Sequence, residues 1–398
     1  MRRRLGYTQE ELAAELNAAL NSTYGKAAVS KWETGSVKPP MEVLEVLEEL
    51  EKMSGARAEY LLRAYGYLDE TASGGTSVVE GIPSEFQAGD MKLHLVRVLG
   101  GDGKIRYCHP DGIQTIFHNK SFELPQHIGD YYNWLLKRRR SEAKGAAFES
   151  RHMVRLDDYE FGLTDPYDEP YPLILHVGLT DYNEMMVTNR SLNTQLPKSR
   201  LLLREIYAKD PLDFRGSGLA NPLAVNLSLV TTKDWKIYVA RRGQKVATNP
   251  AGLGPAVSGT ANPLDFEGRG KYSPFLTAQR ESYEEVTRPY EPEFSEVVFF
   301  GLARTLEFYF PFLFGELRLD LSEEDLRSST PQDNWDVSGL ISIPFEIQEV
   351  VSFMKKTYRY MVEQQDRGPG TTLFSLYQSL IYQYPERRTE IKEALERL

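Results

Sequence analysis

The spacing of apolar positions changes several times along the chain. Residues 1 to about 70 carry a helical period, with Thr8-Gln9-Glu10-Glu11 and Lys38-Pro39-Pro40 as start and stop signals. Thr8 caps a predicted helix whose inner face is Leu12, Ala13 and Leu16, and a second short helix carries Ala28 to Glu33 before Gly35. Between Asp69 and Asp90 the pattern dissolves into small and polar residues, which is linker chemistry. From Met91 the period shortens to two, in runs such as Leu93 to Val98 and Pro172 to Val177, with a helical patch over Tyr131 to Arg140 between them. Asn226 to Arg242 reads as a hairpin turning near Lys233-Asp234. A Gly/Pro-rich loop follows over Asn249 to Gly259, then a helix from Ser273 that Pro289 ends. Glu296–Ala303 and Phe308–Leu319 form an apolar β pair, and Phe345–Leu398 is helical, broken at Gly368-Pro369-Gly370.

At 398 residues there is room for two or three cores. A net charge of −10 argues against a chain that coats nucleic acid or membrane non-specifically, yet leaves room for one small DNA-binding module. Arg304, Glu307 and Glu316 interrupt the most apolar run, Val297 to Leu319, so it reads as buried strands and not a membrane span. Cys108 is the single cysteine, which excludes an intramolecular disulfide and fits a reducing cytosol. Cys108-His109 has no second pair at zinc spacing. The expectation is a soluble, cytoplasmic protein with no membrane partner.

The segments "YTQEELAAEL" and "AVSKWETG", with the "KPP" that follows, resemble the XRE family of phage-repressor-like DNA-binding domains over roughly residues 4 to 53. The resemblance implies that the second helix of the motif enters the major groove of double-stranded DNA. Gln9, Lys26, Ser30 and Lys31 would face the duplex, with Arg2, Arg3 and Arg4 available to phosphates. The stretch Asn17–Lys26 is longer than the usual turn, so the recognition helix starts anywhere between Thr23 and Ala27. A helical protein-interaction module is the other reading.

The strongest chemical signal is "SPFLTAQRESYEEV", residues 273–286. On a helix Glu281, Glu284 and Glu285 fall on one side, opposite Leu276, Gln279, Tyr283 and Val286. Carboxylates at these spacings repel by a few tenths of a kcal/mol per pair, roughly, so helix stability does not ask for them. A hard divalent cation does, because Mg²⁺ takes oxygen ligands shared with phosphates. A solvated acidic helix face is the bland alternative. Strand, loop, acidic helix, strand is the layout of the Nudix hydrolases, and Arg280, Glu281, Glu284 and Glu285 match the R-E-x-x-E-E core of that family's signature. The resemblance implies Mg²⁺, with Mn²⁺ as substitute, held on a diphosphate by the glutamates, and Arg280 orienting one of them. At strict spacing the signature Gly falls on Phe266, the first Glu on Tyr272, an apolar position on Ser282 and the last Gly on Thr287. An insertion over Ala261–Lys271 reassigns the glycine to Gly259 and the first glutamate to Glu267.

Upstream, "LILHVGLTDYNEMMVTN", "DPLDFRGSGLANPLAVN" and "VARRGQKVATNPAGL" resemble animal Nudix hydrolases that split UDP-glucose. That implies a nucleoside diphosphate sugar as ligand, with Thr180, Tyr182, Thr188 and Asn189, together with Arg241, Arg242 and Gly259, forming its pocket. Thr180, Tyr182, Thr188 and Asn189 read equally as a structural β-to-helix corner capped by Thr180 or Asp181. Glu307, Glu316 and Asp320 are candidates to activate water. Lys137-Arg138-Arg139-Arg140 reads as a solvated helix face, and the aromatic tail (Tyr358, Tyr360, Phe374, Tyr377, Tyr382) as core or as a homodimer face.

Together these readings describe an α+β multidomain chain. An all-α helix-turn-helix head (1–70) and a linker (71–90) precede an accessory β-containing α+β subdomain (91–222). An α/β/α Nudix-type fold with C-terminal helices (223–398) completes it. Its function is that of a DNA-binding protein carrying a Mg²⁺-dependent pyrophosphatase. The alternative is a regulator that senses a nucleotide without useful turnover, and the third reading is an inactive scaffold.

Overall fold

The computed structural model describes residues 8–20, 22–33, 37, 39–40, 43, 46, 76–79, 82–101, 103, 105–126, 128–129, 131–133, 152–161, 172–195, 202–243, 252–268, 270–329, 337–364 and 368–396. Arg2, Arg3, Arg4, Gly35, Lys38, the basic run 137–140 and residues 249–251 lie outside them. Two compact units divide the chain, one built on Met1–Thr71 and the other on Ala72–Phe161 with Pro172–Leu398.

In the first unit, α1 (Gln9–Leu20) and α2 (Lys26–Glu33) pack through Leu12, Ala13, Leu16, Val29 and Trp32. Thr8 is the expected cap: its Oγ1 accepts the Glu11 N–H, and its own N–H donates to the Glu11 carboxylate. The long turn is organised by Asn17. Its Oδ1 accepts from Tyr24 N–H and Ser22 Oγ, and its Nδ2 donates to the Tyr24 carbonyl. That fixes the start of α2 at Lys26, inside the expected range.

The second unit begins with β1 (Thr76–Val79), β2 (Ile82–Ala88) and β3 (Met91–Leu93), an antiparallel sheet, then β4 (Leu95–Gly100). A three-stranded sheet in the order β5 (Ile113–Ser121), β7 (Leu173–Asp181), β6 (His152–Phe161) follows, with α3 (Tyr182–Val187) and α4 (Leu203–Tyr207) behind it in the chain. Next come β8 (Ala224–Thr231), β9 (Lys236–Arg242), β10 (Leu253–Pro255), β11 (Val257–Thr260), β12 (Phe266–Glu267), β13 (Lys271–Tyr272) and α5 (Pro274–Ser282). The chain closes with β14 (Val297–Thr305), β15 (Pro311–Leu319), α6 (Glu323–Ser329), β16 (Val337–Pro344), α7 (Ile347–Gln364), α8 (Gly370–Gln383) and α9 (Arg388–Ala394).

An eight-stranded mixed sheet runs β10-β9-β8-β15-β14-β4, with β11 also on β8 and β16 on β9. Phe275 of α5 packs edge-on to Phe299, whose cross-strand partner is Gly315. Phe374 of α8 packs against Phe312 and Phe314. Adjacent strand residues point to opposite faces, so helices cover both sides of the sheet. The expected hairpin forms, but β8 and β9 pair only over Leu229–Thr231 and Lys236–Tyr238. Beyond that they splay, and residues 253–260 fill the split: β10 bonds to β9 and β11 to β8. The segment read as a Gly/Pro loop is therefore partly strand, because two open strand edges need backbone partners.

Two boundaries move. The expected linker 71–90 contributes β1 and β2, with Phe86 and Ala88 fully buried against the main core. The cut at 222/223 divides one body, since β4 pairs with β14 across it. Both follow from apolar residues of β2–β4 packing with α8, a long-range partnership that local composition does not encode.

Candidate functional site

Pro274 occupies the first turn of α5, where a missing N–H loses nothing. The helix widens into one π turn over Tyr283–Thr287, and Thr287 Oγ1 donates to the Ser282 carbonyl. Such turns recur at functional sites. Phe275, Thr277, Ala278, Glu281, Ser282, Glu285 and Val286 are buried, whereas Leu276, Gln279 and Tyr283 are half-buried, so burial does not follow the division into an apolar and an acidic side. Ser282 fits an apolar position by returning its hydroxyl to the Ala278 carbonyl at 2.5 Å.

The acidic residues occupy three distinct environments. Glu284 is exposed. Glu285 is buried, and its Oε2 accepts the Ser258 N–H at 3.0 Å. Glu281 is buried against Gly259, where an added Cβ would sit 1.8 Å from the Glu281 Cδ. Burial pushes the Glu281 carboxyl up to about 7, against the pull of Arg280.

Arg280 organises the cluster. Its Nε and Nη2 bind both oxygens of Asp265 at 2.8 and 3.0 Å, Nη1 donates to Glu281 at 2.6 Å and to Glu284 at 3.4 Å, and Nη2 also reaches the Thr260 carbonyl. Asp265 is fully buried and also accepts from Thr277 Oγ1 and the Asn262 N–H. The carboxylate of this segment that meets Arg280 is Asp265, whereas Glu267, the candidate for the first glutamate, does not. Glu267 sits on the short β12–β13 hairpin and pairs with Lys271 at 3.6 Å. Described residues of this segment are packed: Phe266 stands edge-on to Phe117, and Thr115 donates to the Tyr272 carbonyl.

Arg280 holds Glu281, a backbone N–H holds Glu285, and Glu284 is turned to solvent. Among the described residues no group of three or more His, Cys, Asp or Glu side chains is placed to share a cation.

Beside this cluster a cavity of about 330 Å³ opens at the split between β8 and β9. Ser258, Gly259, Asn226 and Arg242 line it from the strands, Tyr182 and Arg190 from α3 and the turn after it, and Glu307 and Phe308 from the β14–β15 turn. Arg190 lies 4.4 Å over the Phe308 ring, and burial pushes its guanidinium below the ordinary value. Arg242 lies along Gly254, which leaves it room. Of the expected pocket residues, Tyr182, Arg242 and Gly259 come together here. Arg241 is exposed and outside the lining.

Thr180, Thr188 and Asn189 belong to the structural corner. Asp181 caps α3 in a reciprocal box with Glu184, to which Thr180 also donates. Thr188 Oγ1 donates to the Glu184 carbonyl and accepts the Ala220 N–H. Asn189 bridges the Phe308 and Tyr309 carbonyls to the Asn221 N–H. Of the candidate water activators, Glu307 lines the cavity, whereas Asp320 accepts from Thr232. Glu316 is fully buried, paired with Arg318, and on the α8 face of the sheet, opposite α5. Phe374 and Tyr377 of the tail are core, and Tyr360 is exposed.

On α2, Lys26 and Lys31 are exposed and Ser30 is half-buried; on α1, Gln9 is half-buried. Lys26 pairs with Glu10 at 2.8 Å, which ties the two helix starts together. Among the described residues no helix is long and apolar enough to cross a membrane.

Comparison with known proteins bears on the two units unequally. No curated protein matches the chain. Among solved structures, the Deinococcus radiodurans protein DR0079 aligns at 18% identity over 34% of this chain and 73% of its own, with a TM-score of 0.24, too low to assign a fold. The first unit is firmer: residues 1–50 match the helix-turn-helix family model, the segment that holds the capped α1, the Asn17 turn and α2.

Proposed function

We propose that this protein is a DNA-binding regulator whose second unit binds a nucleotide-type anion in the cavity between β8 and β9, and that occupancy changes its affinity for DNA. The observation that carries the ligand half is the lining: Arg190 and Arg242 supply charge, Tyr182 and Phe308 supply ring faces, and the Gly259–Glu281 contact lies at the edge. Arginine matches phosphate geometry, and aromatic walls suit a base or sugar. The DNA half rests on the family match and on the exposed Lys26 and Lys31 of α2. Anisotropy titrations of the full chain against a pool of duplexes, with and without UDP-glucose, ADP-ribose or pyrophosphate, test both. The expected outcome is a several-fold shift in DNA affinity with one ligand, and Lys31→Ala lowering the salt slope by about 1. DNA affinity indifferent to every ligand that binds would overturn the regulatory link.

A second reading is a Nudix-type pyrophosphatase acting on a nucleoside diphosphate sugar with Mg²⁺ or Mn²⁺. It is favoured by one observation, that Arg280, Glu281 and Glu285 gather beside the cavity with Gly259 where the resemblance assigns them. This reading requires Glu281 to leave Arg280 before any cation could use it. A turnover assay over nucleoside diphosphate sugars with each metal decides. Under this reading Glu285→Gln lowers kcat by orders of magnitude with little change in melting temperature. Absence of turnover with tight ligand binding leaves the regulator.

A further inference from the structure

Asn226 stands apart from the other polar residues lining the cavity. It lies in β8, directly across from Ser258 in β11, and is only 7% exposed. Ser258 Oγ donates to its Oδ1 at 2.9 Å, so the carbonyl end of the amide is committed. The Nδ2 end makes no hydrogen bond to any described residue, and Asn226 lines the cavity. Ser258 is itself held by donating its backbone N–H to Glu285. One serine thus sets the orientation of Asn226 and touches the acidic cluster.

We infer that Asn226 is a ligand-binding residue, its Nδ2 hydrogens donating to a phosphoryl oxygen of the anion that occupies the cavity. A buried amide with its acceptor satisfied and its donors open selects an acceptor-rich group. Arg190 and Arg242 outnumber Glu307, the one carboxylate among the described residues lining the same space, so the complementary group is anionic as well. The inference rests on the ligand-binding reading above and assigns the residue that reads the phosphate.

Aspartate at this position separates orientation from recognition. Asn226→Asp keeps an acceptor for Ser258 but removes both donors and adds negative charge where the anion's oxygen would sit. Calorimetric titration of the full chain with inorganic pyrophosphate and with UDP-glucose should show Kd raised at least tenfold in Asn226→Asp. Asn226→Ala should raise it several-fold. Ser258→Ala, which lets the amide turn its carbonyl toward the anion, should resemble Asn226→Ala. The unliganded melting temperatures of Asn226→Ala and Ser258→Ala should stay near wild type. If Asn226→Asp does not fold, the alanine pair carries the test. Wild-type Kd in Asn226→Ala, with wild-type protein binding normally, overturns the role of Asn226 alone. No binding of either probe by wild-type protein overturns it together with the ligand-binding reading.

Discussion

Two arginines in the second unit, one fully buried and one half-buried, are held in opposite ways. Arg304 of β14 is fully buried among neutral groups: the carbonyls of Tyr309, Pro211 and Asp213, and Asn221 Oδ1, with the rings of Phe214 and Tyr309 on its faces. Burial pushes its guanidinium down to about 9. Arg280 is ringed by carboxylates, one fully buried, one mostly buried and one exposed. Arg304 is a staple that fastens residues 211–221 to the sheet. Arg280 is a charge balance. A guanidinium satisfied by neutral oxygens depends on where those oxygens are fixed. One shared among three carboxylates depends on their charge, and burial raises the Glu281 carboxyl.

The largest effect should come from Arg304→Met, which orphans four acceptors, three of them in buried contacts. Thermal unfolding should show a loss on the order of 5 kcal/mol. A loss under 1 kcal/mol would end the staple reading. Asp265→Asn should come next, because it removes the charge facing Arg280 and leaves one oxygen for the four donors that converge on the carboxylate, Arg280 Nε and Nη2, Thr277 Oγ1 and the Asn262 N–H. The expected cost is roughly 3 kcal/mol. Equal losses in Asp265→Asn and Glu267→Gln would show that the partner has been assigned to the wrong carboxylate. Glu281→Gln should have the smallest effect and the opposite sign. The raised carboxyl leaves the folded state unpenalised below about 4.5 and loses stability as pH rises through about 7. The glutamine variant should therefore be more stable than wild type at pH 8, by about 1–3 kcal/mol, and equal to it near pH 4. Melting curves across pH 4–8 check the crossover, and a constant difference would place the penalty elsewhere.

The same contrast shows what was legible in the sequence. Thr8, the hairpin, the apolar pair β14–β15 and the broken helical tail follow from local period and capping chemistry, and all appear in the structure. Gly259 is assigned only through the resemblance, and the structure puts Glu281 against it. Asp265 was missed, although Asn262 and Asp265 form a reciprocal capping pair three residues apart, a pattern visible in "NPLD". Arg304 is legible in the sequence only as an interruption of an apolar run, since all its hydrogen-bond partners but Tyr309 lie about ninety residues upstream. The direction of the carboxylates was misjudged because α5 is covered on two sides and ends in a π turn, which a single-faced helical wheel does not describe.

The pairing of β4 with β14 also governs how the chain can be cut. A fragment beginning at Leu223 would look complete on the evidence of its own hairpins and helices. It would nonetheless leave the outer side of Gly301 to Thr305 without backbone partners, along a strand whose residues are nearly all apolar. Such a rim recruits other chains edge to edge. Truncation there should yield aggregates, and the remedy is to retain residues 82–100, which cap the rim from far upstream.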